Sequence, residues 1–138
     1  MLLQDLCAEL VAELDAVGCI VSRVIGDVLV QVAEYAPDGR TFALGRGFLV
    51  SEFPETEAVL KTGLPKSVAV TDVAADPAEV RVLRELGLAS VLMLALRPGE
   101  ESWGLVEVYR GAAEIFDDED VRRASAAVRR AAAELAAT

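Results

Sequence analysis

The sequence contains no histidine, only two cysteines and few aromatic residues, at 5% of the chain. Without histidine, the chain lacks the usual general base and the side chain that most often binds zinc or haem iron. Cys7 and Cys19 stand in no metal-binding or redox spacing. The position of Cys7 in an apolar stripe favours a buried structural residue over a reactive thiol. The sequence therefore predicts neither an enzyme nor a metal site.

Positive charge and long apolar runs are also scarce. The 13 Lys and Arg residues are outnumbered by 23 Asp and Glu, which gives a net charge of −10. A surface this acidic repels the phosphates of nucleic acids and of anionic lipids. No apolar run approaches the ~18 residues of a membrane-spanning helix, and the start of the sequence lacks the basic segment of a signal peptide. We therefore expect a cytoplasmic protein that neither binds nucleic acid nor inserts into a membrane.

What the sequence does contain is a succession of helical and extended patterns within 138 residues, the length of one domain. Apolar residues at helical spacing predict terminal helices over residues 2–17, ending at Gly18, and over 117–136, with a short helix over 77–86. Runs rich in β-branched residues predict strands over residues 19–25, 28–35, 41–50, 67–70, 89–96 and 102–110. Between the third and fourth of these strands, a loop from residue 51 leads into another short predicted helix that ends near residue 61. This order predicts an α+β fold with one domain over residues 1–138.

Two acidic segments are interpreted as helix starts. Asp76 precedes Pro77, a residue that is favoured at the first helical position. The acidic run at residues 117–120 begins the last predicted helix, where negative charge stabilises the helix dipole. That run lacks the alternating spacing and the glycine of a calcium loop, so no cation site is predicted there.

Four stretches of sequence together resemble one family. They are FLVSEFPET at 48–56, VTD at 70–72 with DP at 76–77, LGLASVLML at 86–94, and WGLVEVYR at 103–110 with FDDED at 116–120. In this order they resemble the GAF domain, a small sensory module of bacterial and eukaryotic signalling proteins. The likeness extends over roughly residues 10–136.

The resemblance implies an architecture and a role. It implies a six-stranded, mostly antiparallel sheet with the terminal helices on one face and the short mid-chain helices over the other. A small-molecule pocket would lie under the mid-chain helices, and the domain would relay the state of its ligand through the terminal helices. Such modules usually precede an output domain, such as a histidine kinase or a diguanylate cyclase, and commonly form homodimers.

Departures from the family's sequence patterns argue against several classes of ligand that its members bind. Where cyclic-nucleotide-binding members carry an Asn-Lys pair, this sequence reads Tyr109-Arg110, and Val121 replaces their final Glu. Bilin-binding members need a Cys or His in the pocket, and neither cysteine here falls in that half of the sequence. The methionine-sulfoxide-reducing members carry cysteines in the central loops, which are absent here. The resemblance therefore implies an unknown small-molecule ligand and no named cofactor.

The predicted ligand-binding residues flank the mid-chain helices. The walls are predicted to come from Phe48, Phe53, Val70, Leu83, Leu86 and Ser90, with Thr71 and Asp72 as polar contacts at the mouth. Two alternatives stay open beside ligand sensing. One is a degenerate module whose interior is filled by its own side chains and which serves as a dimerisation or relay scaffold. The other is a GAF-fold enzyme, disfavoured because no catalytic Cys or His is in place.

A structural ion pair is predicted between Arg23 and Glu107. These are the charged residues inside the first and last predicted strands, which are neighbours in the architecture that the resemblance implies. A charge facing apolar neighbours without a partner costs several kcal/mol, on the order given for buried ions. Pairing across the sheet would remove that cost.

A homodimer through the terminal helices is also predicted. Each terminal helix carries a heptad-like apolar seam, formed by Leu3, Cys7, Leu10, Leu14 and Val17 in the first and by Val121, Ser125, Val128, Ala132 and Leu135 in the last. The first helix is acidic and the end of the last is basic. If the two helices lie antiparallel on one sheet face, the attraction between these charges would fix the relative orientation of the helices. It would add little to the strength of their association.

Overall fold

The computed structural model describes residues 1–42 and 47–138. Its strands are β1 (Gly18–Ile25), β2 (Val28–Tyr35), β3 (Gly47–Leu49), β4 (Lys66–Ala69), β5 (Ser90–Leu96) and β6 (Gly104–Arg110). Its helices are α1 (Leu2–Leu14), α2 (Pro54–Thr62), α3 (Pro77–Glu85) and α4 (Asp118–Ala137), with a 3₁₀ turn over Val50–Glu52. The strands form one antiparallel sheet in the order β3-β2-β1-β6-β5-β4. The predicted α+β fold is confirmed.

The local signals at turns and helix starts are confirmed. β1 and β2 form the predicted hairpin, in which Gly26 adopts a φ of 61° at the turn. The Asp76 side chain accepts a hydrogen bond from the Ala78 N–H at 3.3 Å. At the start of α4, Asp117 accepts from the Asp120 N–H at 2.8 Å and donates its own N–H to the Asp120 carboxylate. The acidic run therefore caps a helix, as predicted.

The first helix ends earlier than predicted. It stops at Leu14, and Asp15 takes the left-handed conformation with a φ of 51°. Gly18 is instead the first residue of β1, where a Cβ atom would lie 2.4 Å from the ring of Phe42. The glycine is required by the close approach of an aromatic ring, and not by a helix end. Of the strand predicted over 41–50, Gly47–Leu49 is observed as β3, and residues 43–46 lie outside the described residues.

The two faces of the sheet carry different layers. α1 and α4 pack on one face of the sheet. There Leu10 of α1 and Val128 of α4 form a cluster with apolar residues of β1, β5 and β6, such as Val106. α2 and α3 cover the other face, where Val59 and Leu83 join a second cluster. Alternation along each strand sends successive side chains to opposite layers. The predicted placement of the helices is confirmed.

The terminal helices run antiparallel and are joined by charge. Arg130 of α4 forms an ion pair with Glu9 of α1, and Arg110 links the end of α1 to the start of α4. The charge complementarity predicted from the sequence therefore operates within the chain. The apolar seams also serve the chain itself, since Cys7, Leu10, Leu14, Val128 and Ala132 are buried in the cluster under these helices. Homodimerisation stays a prediction, but the seam that suggested it is already covered.

No helix in the described ranges 1–42 and 47–138 is long and apolar enough to cross a membrane.

Candidate ligand-binding cavity

A cavity of about 130 Å³ lies between the sheet and the mid-chain helices α2 and α3. This is the face on which the sequence predicted a pocket. Three kinds of residue line it: aromatic and aliphatic side chains, neutral polar side chains, and glutamates. The lining residues are Ser22, Leu29, Gln31, Phe42, Phe48, Phe53, Thr56, Glu79, Val82, Glu85, Leu86, Leu105, Glu107 and Tyr109.

Glu107 enters the cavity from the sheet. It lies in the middle of β6, opposite Ile20 of β1 and Met93 of β5, and alternation places it on the same face as Leu105 and Tyr109. Burial, and then the negative charge of Glu79, raise the pKa of Glu107 to about 8, although a hydrogen bond from the Tyr109 hydroxyl opposes this. The carboxyl of Glu107 is therefore held largely protonated at neutral pH.

Glu79 enters the cavity from the helical layer. It lies in the first turn of α3, four residues before the buried Leu83, so both share the inward face of the helix. Its residue surface is 5% exposed, and its Oε1 accepts a hydrogen bond from the Thr56 hydroxyl of α2. Burial raises the pKa of Glu79 to about 7; the hydrogen bond lowers it, and the charges of Glu55 and Asp76 raise it further.

The two glutamates face each other across one space. The charge of Glu79 acts on Glu107, and the Thr56 hydroxyl that binds Glu79 lies 3.4 Å from the Sδ of Met93, the cross-strand neighbour of Glu107. Among the described residues that line the cavity, none is Lys or Arg. The arrangement can accept hydrogen bonds or positive charge from a guest, and its protonated carboxyls can donate.

Aromatic rings bound the apolar part of the cavity. Phe48 and Phe53 meet edge to face with their centroids 6.2 Å apart. Phe42 stacks on Tyr109 at 5.8 Å with an angle of 23° between the ring planes. Such geometries favour a flat or apolar guest in the space beside the rings.

Three of the predicted wall residues line the cavity. Phe48, Phe53 and Leu86 do so directly. Leu83 is fully buried in the neighbouring apolar cluster, and Val70 packs against that cluster. These two residues support the wall without forming it.

The polar residues predicted near the mouth do not line the cavity. The Ser90 hydroxyl donates to the carbonyl of Ala112 at 2.9 Å, and the Thr71 hydroxyl to that of Ala113 at 3.5 Å. Asp72 accepts from the Ala74 N–H at 3.0 Å. These side chains hold the loop before α4 and the turn after β4. Their assignment to the cavity is corrected, because Ser90 shares a face of β5 with Leu92 and Leu94, which pack under the terminal helices, and Thr71 and Asp72 lie in the turn after β4.

The predicted ion pair between Arg23 and Glu107 is wrong. β1 and β6 are neighbours, as expected, but Arg23 lies opposite Gly104, three residues from Glu107. Residues three apart on a strand point to opposite faces. The Arg23 guanidinium instead lies 4.8 Å from the centre of the Trp103 ring.

The polar lining of the cavity was not predicted. It consists of Ser22, Gln31, Thr56, Glu79, Glu85, Glu107 and Tyr109. Glu107 was assigned to the ion pair, and Glu79, which follows Asp76 and Pro77 in the predicted helix start, was not assigned to the cavity. Thr56 and Tyr109 were not singled out as polar contacts. One signal was available for Glu107: a lone acid alternates with Leu105 and Tyr109 inside an apolar strand, which indicates a polar group on a buried face.

Both cysteines lie on the far side of the sheet. Cys7 and Cys19 are fully buried in the cluster under α1 and α4, which confirms the structural interpretation. Burial, together with the neighbouring Cys7 thiol, raises the pKa of Cys19 well above its ordinary value. A raised thiol pKa disfavours the reactive thiolate. Within the described part of the chain, no cluster of three or more potential metal ligands occurs.

The sequence matches the GAF domain family over residues 1–135. The chain belongs to the GAF domain family. A comparison with curated proteins found no match to this GAF domain.

Solved structures of phytochrome and related GAF domains share its fold. The phycoerythrobilin-bound GAF domain of a cyanobacterial phytochrome matches with a TM-score of 0.83 and 19% identity, covering 96% of this chain and 82% of that one. The blue-light-absorbing form of the Thermosynechococcus elongatus PixJ GAF domain matches with a TM-score of 0.84 and 17% identity, covering 98% and 83%. The Stigmatella aurantiaca phytochrome photosensory core module has a TM-score of 0.82 at 12% identity, covering 97% of this chain and 32% of that one. At these identities the similarity establishes the GAF fold of this chain.

Proposed function

We propose that this GAF domain is a regulatory module that senses a small molecule in the cavity under α2 and α3. The observation that carries the proposal is the convergence of Glu79, Glu107, Thr56 and Tyr109 on one cavity. Buried polar groups are costly unless a partner satisfies them. An apolar space with a few convergent polar groups is typical of a ligand site.

The route for a signal runs through β6. Tyr109 faces the cavity, and the next residue, Arg110, faces the terminal helices. Its guanidinium donates to the Leu14 carbonyl at 2.5 and 3.2 Å and pairs with the Asp120 carboxylate at 3.2 Å. A ligand that moves β6 would therefore act on the end of α1 and on the start of α4 together. This supports relay through the terminal helices.

The cavity also bears on the two alternatives. A degenerate scaffold would fill this space with its own side chains, and the open volume beside Phe48 and Phe53 favours sensing instead. Catalysis by thiol chemistry would need a cysteine in the cavity, and both cysteines lie on the opposite face. We therefore propose a non-enzymatic role.

The bilins named for the structural neighbours are not the ligand that we propose. The sequence has no histidine, and neither Cys7 nor Cys19 reaches the cavity face, so no side chain is placed to hold such a chromophore covalently. A small, non-covalent ligand suits a cavity of about 130 Å³ better.

The proposed setting is cytoplasmic signalling. The domain would act on an output domain such as a histidine kinase or a diguanylate cyclase, which its terminal helices would contact. A homodimer remains part of this proposal. It would use the outward faces of α1 and α4, since their inward seams are buried.

A thermal-shift screen against metabolites and nucleotides tests the proposal. A ligand present at 100 times its Kd stabilises the folded state by about 2.7 kcal/mol, which a melting experiment detects readily. The control is Leu86→Trp, in which a larger side chain at the wall fills the cavity. We expect at least one compound to raise the Tm of the natural sequence and to leave that of the variant unchanged. If no compound in the library raises the Tm of the natural sequence, or if every active compound raises the Tm of both proteins equally, sensing in this cavity is contradicted.

A further inference from the structure

We propose that the cavity binds a small organic cation, a protonated amine or amidinium on a compact apolar or aromatic body, held between Glu79 and Glu107. This inference rests on the proposed function and specifies the chemistry of its ligand. The two carboxyls enter from opposite walls, one from the helical layer and one from the sheet. A cationic group placed between them would contact both.

Among the described residues, the printed ion pairs give neither glutamate a positive partner. The Arg40 guanidinium lies at the edge of the cavity, 5.8 Å from the centre of the Phe42 ring, where it donates to the Leu86 carbonyl at 3.5 Å. Glu85 lines the same cavity, Glu55 and Asp76 act on Glu79, and Tyr109 lies next to Glu107 on β6. Every one of these groups is neutral or negative. No Lys or Arg stands among the lining residues that the structure describes. A ligand cation would supply the missing charge, whereas an anionic ligand would be repelled.

The titration of the two glutamates is consistent with this arrangement. Burial holds the pKa of Glu107 at about 8 and that of Glu79 at about 7. A bound cation favours the ionised carboxylates and so lowers both pKa values. Binding of a cation near neutral pH should therefore release protons, and the affinity should rise with pH until both carboxyls are ionised.

The rest of the cavity selects the body of the ligand. Phe42, Phe48, Phe53 and Leu105 form an apolar wall beside the carboxyls. The volume of about 130 Å³ is close to that of an engineered protein cavity, about 150 Å³, that accepts benzene. A ligand with one ring or a short aliphatic chain fits this space. A hydrated divalent metal ion suits it less well, because Ca²⁺ and Mg²⁺ require six or more oxygen ligands.

Isothermal titration calorimetry with three probes of matched shape tests the inference. Benzamidine carries a positive charge, benzamide is its neutral counterpart, and benzoate is negative. At pH 8 we expect benzamidine to bind at least tenfold more tightly than benzamide, with no detectable binding of benzoate. Repeating the benzamidine titration in two buffers of different ionisation enthalpy should reveal proton release, and the affinity should increase from pH 6 to pH 8.5.

Two variants and one control connect this binding to the named carboxyls. Glu107→Gln and Glu79→Gln should each lower the affinity for benzamidine at least tenfold and leave the affinity for benzamide unchanged. If one variant fails to fold, the other provides the test. Glu101→Gln, an exposed acid in the turn before β6, should bind benzamidine like the natural sequence. A loss of binding in this control would indicate general attraction to an acidic surface and would overturn the inference.

The outcomes separate the ligand class from the sensing role. Benzamide binding as tightly as benzamidine, with Leu86→Trp abolishing both, would overturn the cation and leave a sensing cavity. A screening hit that is neutral or anionic and is lost in Leu86→Trp would have the same meaning. If no probe binds and the screen yields no cavity-dependent ligand, the proposed function fails together with the inference.

Discussion

The sheet face under α1 and α4 and the face under α2 and α3 bury different kinds of residue. The cluster under α1 and α4 includes small alanines of α4 that let the helix approach closely, and the polar residues beside it, Ser90 and Arg110, are hydrogen-bonded to the carbonyls of Ala112 and Leu14. The second face holds the cavity, and four of the five buried polar residues found in the described ranges line it, namely Ser22, Gln31, Thr56 and Glu79. The face under α2 and α3 therefore keeps an open space with buried acids, and burying those acids has a local cost in stability.

The largest expected difference between the faces comes from truncating an equivalent leucine on each. Leu10→Ala removes a fully buried side chain of the helix face, and should lower the free energy of unfolding by about 2–5 kcal/mol. Leu86→Ala at the cavity wall should cost only about 1 kcal/mol, because the Leu86 side chain is half-buried and removes less apolar area from water. Urea denaturation measures both. Equal losses would mean that the two faces contribute alike.

A smaller effect, of opposite sign, should come from Glu107→Gln. The folded-state pKa of Glu107, about 8, lies above the ordinary value of 4.5. The natural folded protein therefore binds more protons than the unfolded chain between these values, and its stability falls as the pH rises from about 4.5 to 8. The neutral glutamine does not titrate. The variant should be more stable than the natural sequence at pH 8, by up to about 4 kcal/mol, and nearly equal to it at pH 5.

Denaturation curves at several pH values check this sign. Glu79→Gln should behave in the same way over a narrower range, since the pKa of Glu79 is about 7. A variant that loses stability at pH 8 would show that the cavity face depends on an ionised Glu107.

The connection between the faces depends on Arg110. Arg110→Ala removes the hydrogen bonds to the Leu14 carbonyl, the pair with Asp120 and a stacking contact 4.1 Å from the Phe116 ring centre. We expect a loss of about 2 kcal/mol, typical of hydrogen bonds to a charged donor. Arg110→Lys retains the charge without the planar guanidinium and should recover less than half of the loss. Ligand-induced changes in the amide NMR signals of α1 and α4 should disappear in Arg110→Ala; their survival would place the relay elsewhere.

The smallest effect concerns the surface of the helix face. The ion pair between Glu9 and Arg130 has side chains that are 40% and 64% exposed. A double-mutant cycle with Glu9→Gln and Arg130→Gln should give a coupling of about 0.2–1 kcal/mol, decreasing with added salt. A coupling that exceeds the cost of Leu86→Ala would show that charge, and not apolar packing, holds the terminal helices.

The sequence predicted the features that depend on neighbouring residues. The hairpin turn at Gly26, the cap at Asp76 and the capping box of Asp117 and Asp120 are each formed within a few residues, so their signals are complete in the local sequence. The layer on which each helix lies followed from the family resemblance. The early end of α1 was missed because Gly18 has a second reason to be glycine, the ring of Phe42, which is distant in sequence.

The composition of the cavity depended on long-range register. The sequence placed β1 beside β6, but the pairing of Arg23 with Gly104 is set by the whole strand interface, and it decides which face each charge occupies. Ser90 lies on the same face of β5 as Leu92 and Leu94, which pack under the terminal helices, and Asp72 lies in the turn after β4, so neither lines the cavity. The sequence showed that Glu107 is a charged residue within an apolar strand. It did not show that Glu79 lies across the cavity from it, because Glu79 belongs to a helix and the packing of that helix on the sheet is not encoded in the local sequence.

The antiparallel arrangement of α1 and α4 has a consequence for protein engineering. Leu2, near the start of α1, and Glu134, near the end of α4, line the same shallow surface depression, so the two ends of this chain emerge side by side. Adjacent ends favour insertion into a loop of another protein and circular permutation. A short glycine-serine linker could join the ends, with new termini opened at the exposed turn around Gly99. Such a permutant would retain both faces of the sheet while moving the attachment points away from the helices.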